Sequence, residues 1–113
     1  MSKYEFTGET KMIMGHRLQQ IRAMIDICGV RAGDVGGWIE RESNLSQFGN
    51  CWVYGDAWVC GDALVYGDAL VYGNAWVYGN ARVCGDARVY GNARVYGDAR
   101  VCGDARVLKT TNY

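Results

Sequence analysis

The chain has 113 residues, of which 12 are basic and 12 acidic, so its formal net charge is zero. This length predicts one domain, and the balanced charge argues against a surface for nucleic acid or for an anionic membrane. No apolar run approaches the roughly 18 residues that span a bilayer, and the first residues lack the apolar core of a secretory signal. We therefore predict a cytoplasmic protein that binds neither membrane nor nucleic acid.

Residues 1–29 contain no repeat, and we predict that they form a small N-terminal cap. Residues 16–25 fit two interpretations: Leu18, Ile21 and Ile25 have helical spacing, whereas Ile21 and Ile25 also lie on one face of a strand. We favour strands and expect a β-hairpin-like cap, because the repetitive region that follows would otherwise begin with unpaired backbone groups.

Residues 30–48 are predicted to form an irregular first coil, because the Gly-Asp-Val run at residues 33–35 imitates the repeat that begins at Gly49. The phase of the pattern slips before that glycine, so we expect a loop or bulge between residues 40 and 48. Four aliphatic side chains are predicted to point inward: Val30, Val35, Ile39 and Leu45.

From Gly49 to Leu108 a six-residue unit, G-[D/N]-A-x-V-[Y/C], occurs ten times without a gap. Valine favours a strand, glycine with Asp or Asn favours a turn, and alanine fits a tight inward corner. Valine and alanine then form a thin core, while x and tyrosine point outward. Three units make one triangular coil, so the sequence predicts three to four stacked coils, followed by a tail at residues 109–113.

The pattern resembles the hexapeptide-repeat family, in which an aliphatic residue is followed four positions later by a small one, as in Val59 with Ala63 and Val65 with Ala69. The resemblance implies an all-β fold, the left-handed parallel β-helix, and the handedness comes from the resemblance alone. The run Gly-Asp-x-Gly-Gly-Trp-Ile-Glu at residues 33–40, with Gly-Asn-Cys-Trp-Val-Tyr at residues 49–54, also looks like the opening of phage and bacterial hexapeptide-repeat proteins that lack an assigned activity. This second resemblance implies a phage origin, and thus the host cytoplasm.

Residues three units apart become neighbours in adjacent coils, so the x positions form three columns that change from apolar residues to arginine. The columns are Trp52-Leu70-Arg88-Arg106, Trp58-Trp76-Arg94 and Leu64-Arg82-Arg100. Outward aromatic and leucine side chains are typical of interfaces, so we predict a homo-oligomer, a dimer or trimer, with a host protein as a further partner. Two other interpretations stay open: the rings stack as ladders within one chain, or the cap folds back over the tryptophans. The predicted interface residues are Trp52, Tyr54, Trp58, Leu64, Leu70, Tyr72, Trp76 and Tyr78.

The sequence predicts a non-enzymatic binding or assembly protein with no catalytic residue, no metal site and no cofactor. A single histidine, His16, excludes the zinc arrangement with several histidines. The alternative is a small acyltransferase like many hexapeptide-repeat proteins, with His16 as the base at a subunit junction that binds acyl-CoA. Cys84 and Cys102 stack in adjacent coils, but in-register parallel side chains are poorly aimed for a disulfide, so we expect free thiols.

Overall fold

The computed structural model describes residues 2–27, 29–108 and 111–112, the last two by their backbone alone, so the predicted tail lies largely outside the described residues. Within these ranges the regular structure is β, apart from one 3₁₀ turn at Glu42–Asn44, and no helix is long or apolar enough to cross a membrane. The strands are β1 (Tyr4–Ile13), β2 (His16–Ala23), β3 (Val35–Ile39), β4 (Trp52–Val53), β5 (Trp58–Val59), β6 (Leu64–Val65), β7 (Leu70–Val71), β8 (Trp76–Val77), β9 (Arg82–Val83), β10 (Arg88–Val89), β11 (Arg94–Tyr96), β12 (Arg100–Val101), β13 (Arg106–Val107) and β14 (Thr111–Asn112).

The N-terminal part is a hairpin of β1 and β2, which pair antiparallel with Ile13 opposite His16. The two residues between the strands both have positive φ, 51° at Met14 and 81° at Gly15. Such a two-residue turn matches the twist of the flanking strands. Of the two interpretations of residues 16–25, the structure has the strand, over His16–Ala23.

The repeats form a β-solenoid, as predicted. Every third strand pairs in parallel, with an offset of three repeat units, as in Val59 opposite Val77 and Val71 opposite Val89. The strands build three sheets, in the orders β1-β2-β3-β5-β8-β11-β14, β13-β10-β7-β4 and β12-β9-β6. We call the sheet that contains β4 the first face, the sheet that contains β5 the second face and the sheet that contains β6 the third face.

The core is the inward row of valines and alanines, and from Val53 to Ala99 both rows are almost completely buried. The turns between strands stack as closely as the strands do. At Gly67 φ is +71°, and a Cβ there would lie 2.9 Å from the amide nitrogen of Gly85 in the next coil. Glycine is thus required both by the backbone conformation and by the stacking distance.

The first coil is irregular, because its offset to the next coil exceeds three units by two positions. Ile39 lies opposite Val59 and Leu45 opposite Val65, and the 3₁₀ turn lies between these pairs. Val30 is buried, as are Ile39 and Leu45. The prediction for Val35 is wrong, because this side chain is 55% exposed. It begins β3 opposite a residue of the hairpin, before the strand reaches the core.

Buried side chains close the N-terminal end of the solenoid, which we call the lower end, by donating to carbonyl groups of the coil above. The Nζ atom of Lys3 donates to the carbonyl oxygen of Cys51 at 2.8 Å and contacts its Sγ at 3.2 Å. The Nδ2 atom of Asn44 donates to the carbonyl oxygens of Ala63 at 2.8 Å and Gly61 at 3.1 Å. These two side chains replace backbone N–H groups that a further coil would supply, so these carbonyl groups are satisfied.

Candidate functional site

The outward side chains form three columns on the three faces. Register places Trp52 below Leu70 and Arg88, Trp58 below Trp76, and Leu64 below Arg82. The apolar residues therefore lie in the lower coils and the arginines in the upper ones. This arrangement follows directly from the uninterrupted period.

The prediction that Trp52 and Trp58 are exposed is wrong, because the cap and the first coil together cover both of them. Trp52 is 1% exposed, its ring lies 6.2 Å from that of Tyr4, and a Cβ on Gly36 would come within 2.8 Å of its indole. Trp58 is 2% exposed and packs in a cluster with Leu18 of β2. Neither tryptophan is available to another molecule, and the alternative that the cap folds over them describes both.

Trp58 is the centre of an aromatic ladder that ends in a cation on each side. Its ring stacks on Trp76 at 4.6 Å, and Trp38 of β3 lies opposite it on the other side in the same cluster. Lys11 lies 4.3 Å from the ring centroid of Trp38, and Arg94 lies 4.0 Å from that of Trp76. Cation–π contacts of this kind stabilise the stack. The sequence pattern does not predict Trp38 as part of this ladder. The pair Trp-Ile at this point matches the pair Trp-Val one coil later, but the spacing between the two pairs exceeds three repeat units by two residues.

The first face carries an open groove of about 320 Å³ that is lined by Tyr54, Leu70, Tyr72 and Arg88. The rings of Tyr54 and Tyr72 meet edge to face at 6.2 Å. The Nη1 atom of Arg88 donates to the carbonyl oxygen of Asp86 at 2.8 Å, which holds the guanidinium at the rim. All four lining side chains are partly exposed, so this groove retains the apolar outward character that the sequence predicts for all the lower coils.

The remaining predicted interface residues are partly exposed but lie on the other two faces. Leu64 belongs to the third face, where a parallel bridge joins Leu45 to Val65. Trp76 and Tyr78 belong to the aromatic cluster of the second face, where Tyr78 stacks on Tyr96 at a ring distance of 5.2 Å. Burial raises the pKa of Tyr78, and the neighbouring tyrosine adds to this shift. The structure thus brings three of the predicted residues into one groove and separates the others from it.

His16 is held by a carboxylate at the beginning of β2. Its Nδ1 atom donates to Glu40, whose two carboxylate oxygens both lie at 3.1 Å, and Glu40 also accepts the N–H of Gly61 at 2.8 Å. Burial raises the pKa of Glu40, but the hydrogen bonds from Gly61 and His16 outweigh it and leave this pKa below its ordinary value. Burial raises the pKa of the Cys60 thiol to about 12, so this cysteine stays protonated. Among the described residues no three His, Cys, Asp or Glu side chains come together as a metal site.

Cys84 and Cys102 form a disulfide, so the expectation of free thiols is wrong. Their Cα atoms are 4.6 Å apart, which lies within the range that a disulfide can bridge. Each cysteine follows its strand by one residue, after β9 and after β12. At these corners the two side chains turn toward one another, and their Sγ atoms are bonded.

Comparison with known proteins agrees with this architecture. A family model described as the YdcK beta solenoid repeat matches residues 57–73, 63–79, 81–97 and 87–103. The chain is also 46% identical over 50 residues to the uncharacterized acetyltransferase YdcK of Escherichia coli (strain K12). This alignment covers 44% of the chain but 14% of that protein, so the chain corresponds to a small part of its length. The repeats of this chain are thus similar to the YdcK beta solenoid repeat, in agreement with the stacked parallel coils of the structure.

Proposed function

We propose that the protein is a non-enzymatic assembly module that pairs with a second copy of itself through the groove of the first face. The observation that carries this proposal is the partly exposed set of Tyr54, Leu70, Tyr72 and Arg88 around about 320 Å³ of open space. Tyrosine and arginine around an aliphatic anchor are typical of the central residues of protein interfaces. The buried tryptophans take no part in it.

Charge favours a second copy over a partner of another kind. Residues 2–79 contain six basic and nine acidic side chains, whereas residues 80–108 contain five basic and three acidic ones. Two solenoids packed side by side in opposite directions would place the basic upper coils of one copy against the acidic lower coils of the other. A twofold interface requires such a self-complementary surface. The association should therefore weaken as salt is added.

The test is the solution mass by size exclusion with light scattering over a range of protein concentrations. Residues 61–66 and 67–72 have the same sequence, Gly-Asp-Ala-Leu-Val-Tyr, so Leu64 and Leu70 differ in their face but not in their local sequence. Leu70→Glu should convert a dimer into a monomer, and Leu64→Glu should leave the dimer intact. A wild-type protein that stays monomeric, or equal masses for the two variants, would contradict the proposal.

The proposal extends to the setting in which the protein works. We propose a phage origin, a cytoplasmic location and the capture of a host protein. The resemblance of about residues 3–54 to phage and bacterial proteins supports the origin. A host protein would be the other occupant of the groove. Competition would reveal it, because a purified host partner that needs Leu70 should dissociate the dimer, whereas one that tolerates Leu70→Glu does not use this surface.

The second candidate function is acyl transfer with His16 as the base. Two observations favour it: Glu40 orients the imidazole through Nδ1, and the similar E. coli protein is named an acetyltransferase. With Nδ1 donating to the carboxylate, the neutral ring presents Nε2 as a proton acceptor. Acetyl-CoA should then raise the melting temperature of the protein, and His16→Ala should abolish this rise. An unchanged melting temperature in the wild type removes this candidate.

A further inference from the structure

The Cys84–Cys102 disulfide occupies a position that tyrosine stacks occupy on the other two faces. On the first face the rings of Tyr72 and Tyr90 stack at 5.2 Å, and on the second face Tyr78 and Tyr96 stack at the same distance. In each case a side chain after the valine connects one coil to the next. On the third face a covalent bond connects the residues at these positions, and this bond can be broken by reduction.

The bond holds the last two units (residues 97–108), of which the outermost, residues 103–108, is poorly covered. Ala105 is exposed and Val107 is partly exposed, although the same positions are buried in the units below. Cys102 is exposed as well, whereas Cys84 is 9% exposed. The disulfide therefore fastens a segment whose outermost unit the core holds weakly, and one of its two cysteines, Cys102, is exposed.

We propose that Cys84–Cys102 is a redox-responsive site at which a dithiol releases the last two units from the coil beneath. A thiolate of the dithiol attacks the Sγ atom of the exposed Cys102, and Cys84 leaves as a thiolate that takes up a proton. The second thiol of the reagent then displaces Cys102, which leaves two cysteine thiols and a cyclic disulfide of the reagent. Two electrons move from the dithiol to the protein, and an oxidised dithiol reverses the exchange.

Other cysteines of the described residues do not compete in this exchange. Cys51 and Cys60 are both buried and both reduced. The parallel pairing of Val83 with Val101 keeps the two reacting cysteines close whenever the last units are closed. Reduction thus removes a covalent constraint but not the position from which the bond re-forms.

The backbone amides of the coil beneath provide a direct measurement of the opening of residues 97–108. Its N–H groups at residues 84, 86 and 88 donate to the carbonyl oxygens of residues 101, 103 and 105 in the last two units, at 2.8 to 2.9 Å. These amides exchange with solvent only when residues 97–108 open. The equivalent amides one coil lower, at residues 66, 68 and 70, make the same bonds to residues 83, 85 and 87 and serve as an internal control.

The experiment is hydrogen exchange by mass spectrometry on the full chain, with oxidised and with reduced dithiothreitol. We expect reduction to accelerate exchange of the amides at residues 84–88 by roughly tenfold to a hundredfold, since the bond closes an 18-residue loop, and to leave the internal control amides unchanged. Mass after alkylation should show two new thiols. A disulfide that resists dithiothreitol without denaturant, or equal exchange in the two states, would overturn the proposal.

Two variants separate the bond from other effects of the reagent. Cys84→Ser with Cys102→Ser should exchange like the reduced wild type whether or not dithiothreitol is present. Cys84→Tyr with Cys102→Tyr converts the third face to the pattern of the other two faces and should be slow to exchange and insensitive to dithiothreitol. An effect of dithiothreitol that persists in either variant would show that the disulfide is not its cause.

Discussion

Replacing Asn44 tests whether the first coil depends on a single buried amide. Asn44 is completely buried, donates to Gly61 and Ala63, and accepts the backbone N–H groups of Glu40 and Arg41 at 3.0 and 2.8 Å. Asn44→Ala removes all four bonds and leaves two carbonyl and two N–H groups without this partner. At about 1 kcal/mol for each net hydrogen bond, the free energy of unfolding should fall by about 3–4 kcal/mol.

Urea unfolding followed by tryptophan fluorescence measures this change, because the tryptophans lie in the first three coils of the chain. The matched control is Asn80→Ala in a repeat turn, where the exposed amide makes one side-chain bond, to Asp98 at 3.3 Å. This control should lose less than about 0.5 kcal/mol. If the two variants differ by less than about 1 kcal/mol, the carbonyl groups at the lower end do not need the amide, and the reasoning fails.

Three further predictions concern stacking, acid and the core. Gly67→Ala should lower the free energy of unfolding by about 2–3 kcal/mol and Gly55→Ala by about 1 kcal/mol. Both positions need a positive φ, but only the Cβ at Gly67 meets the next coil. Equal losses in urea unfolding would show that contact with the next coil adds nothing. The pKa of Glu40 is lowered in the folded state, so its contribution to stability is present above pH 4.5 and is lost as pH falls through the folded pKa. The difference in the free energy of unfolding between the wild type and Glu40→Gln should therefore shrink from pH 7 to pH 3. A difference that is constant with pH would contradict a stabilising role of the Glu40 carboxylate. Val77→Ala should lower the free energy of unfolding by about 2–3 kcal/mol, because it leaves a cavity between Val59 and Val95. A loss below about 1 kcal/mol in urea unfolding would mean that the coils collapse to fill the cavity.

The period of six residues is sufficient to predict the faces, the register and the core of the repeats. Val59 and Val77 take equivalent places in successive coils. The backbone hydrogen bonds between the coils then determine which other residues become neighbours. The columns that end in arginine follow from the same constraint. Residues within the repeats can thus be placed without any knowledge of distant contacts.

Exposure cannot be predicted in this way, because it depends on how the cap packs. The outward direction of Trp52 follows from its position in the unit, but its burial depends on Tyr4 and Gly36, which are far away in sequence. Trp38 escapes the prediction because two additional residues break the period. The disulfide escapes it because the torsion of a side chain beyond the end of a strand is not determined by the register.

The side chains that close the lower end also affect how such a protein can change over generations. Lys3 and Asn44 bind only the lowest carbonyl groups of the repeats, whereas every later coil presents the same turns and the same inward valines to its neighbours. An in-frame duplication or loss of one coil above them would preserve the register on all three faces. Selection can therefore lengthen or shorten the solenoid one coil at a time, while the cap and its contacts at the lower end stay unchanged.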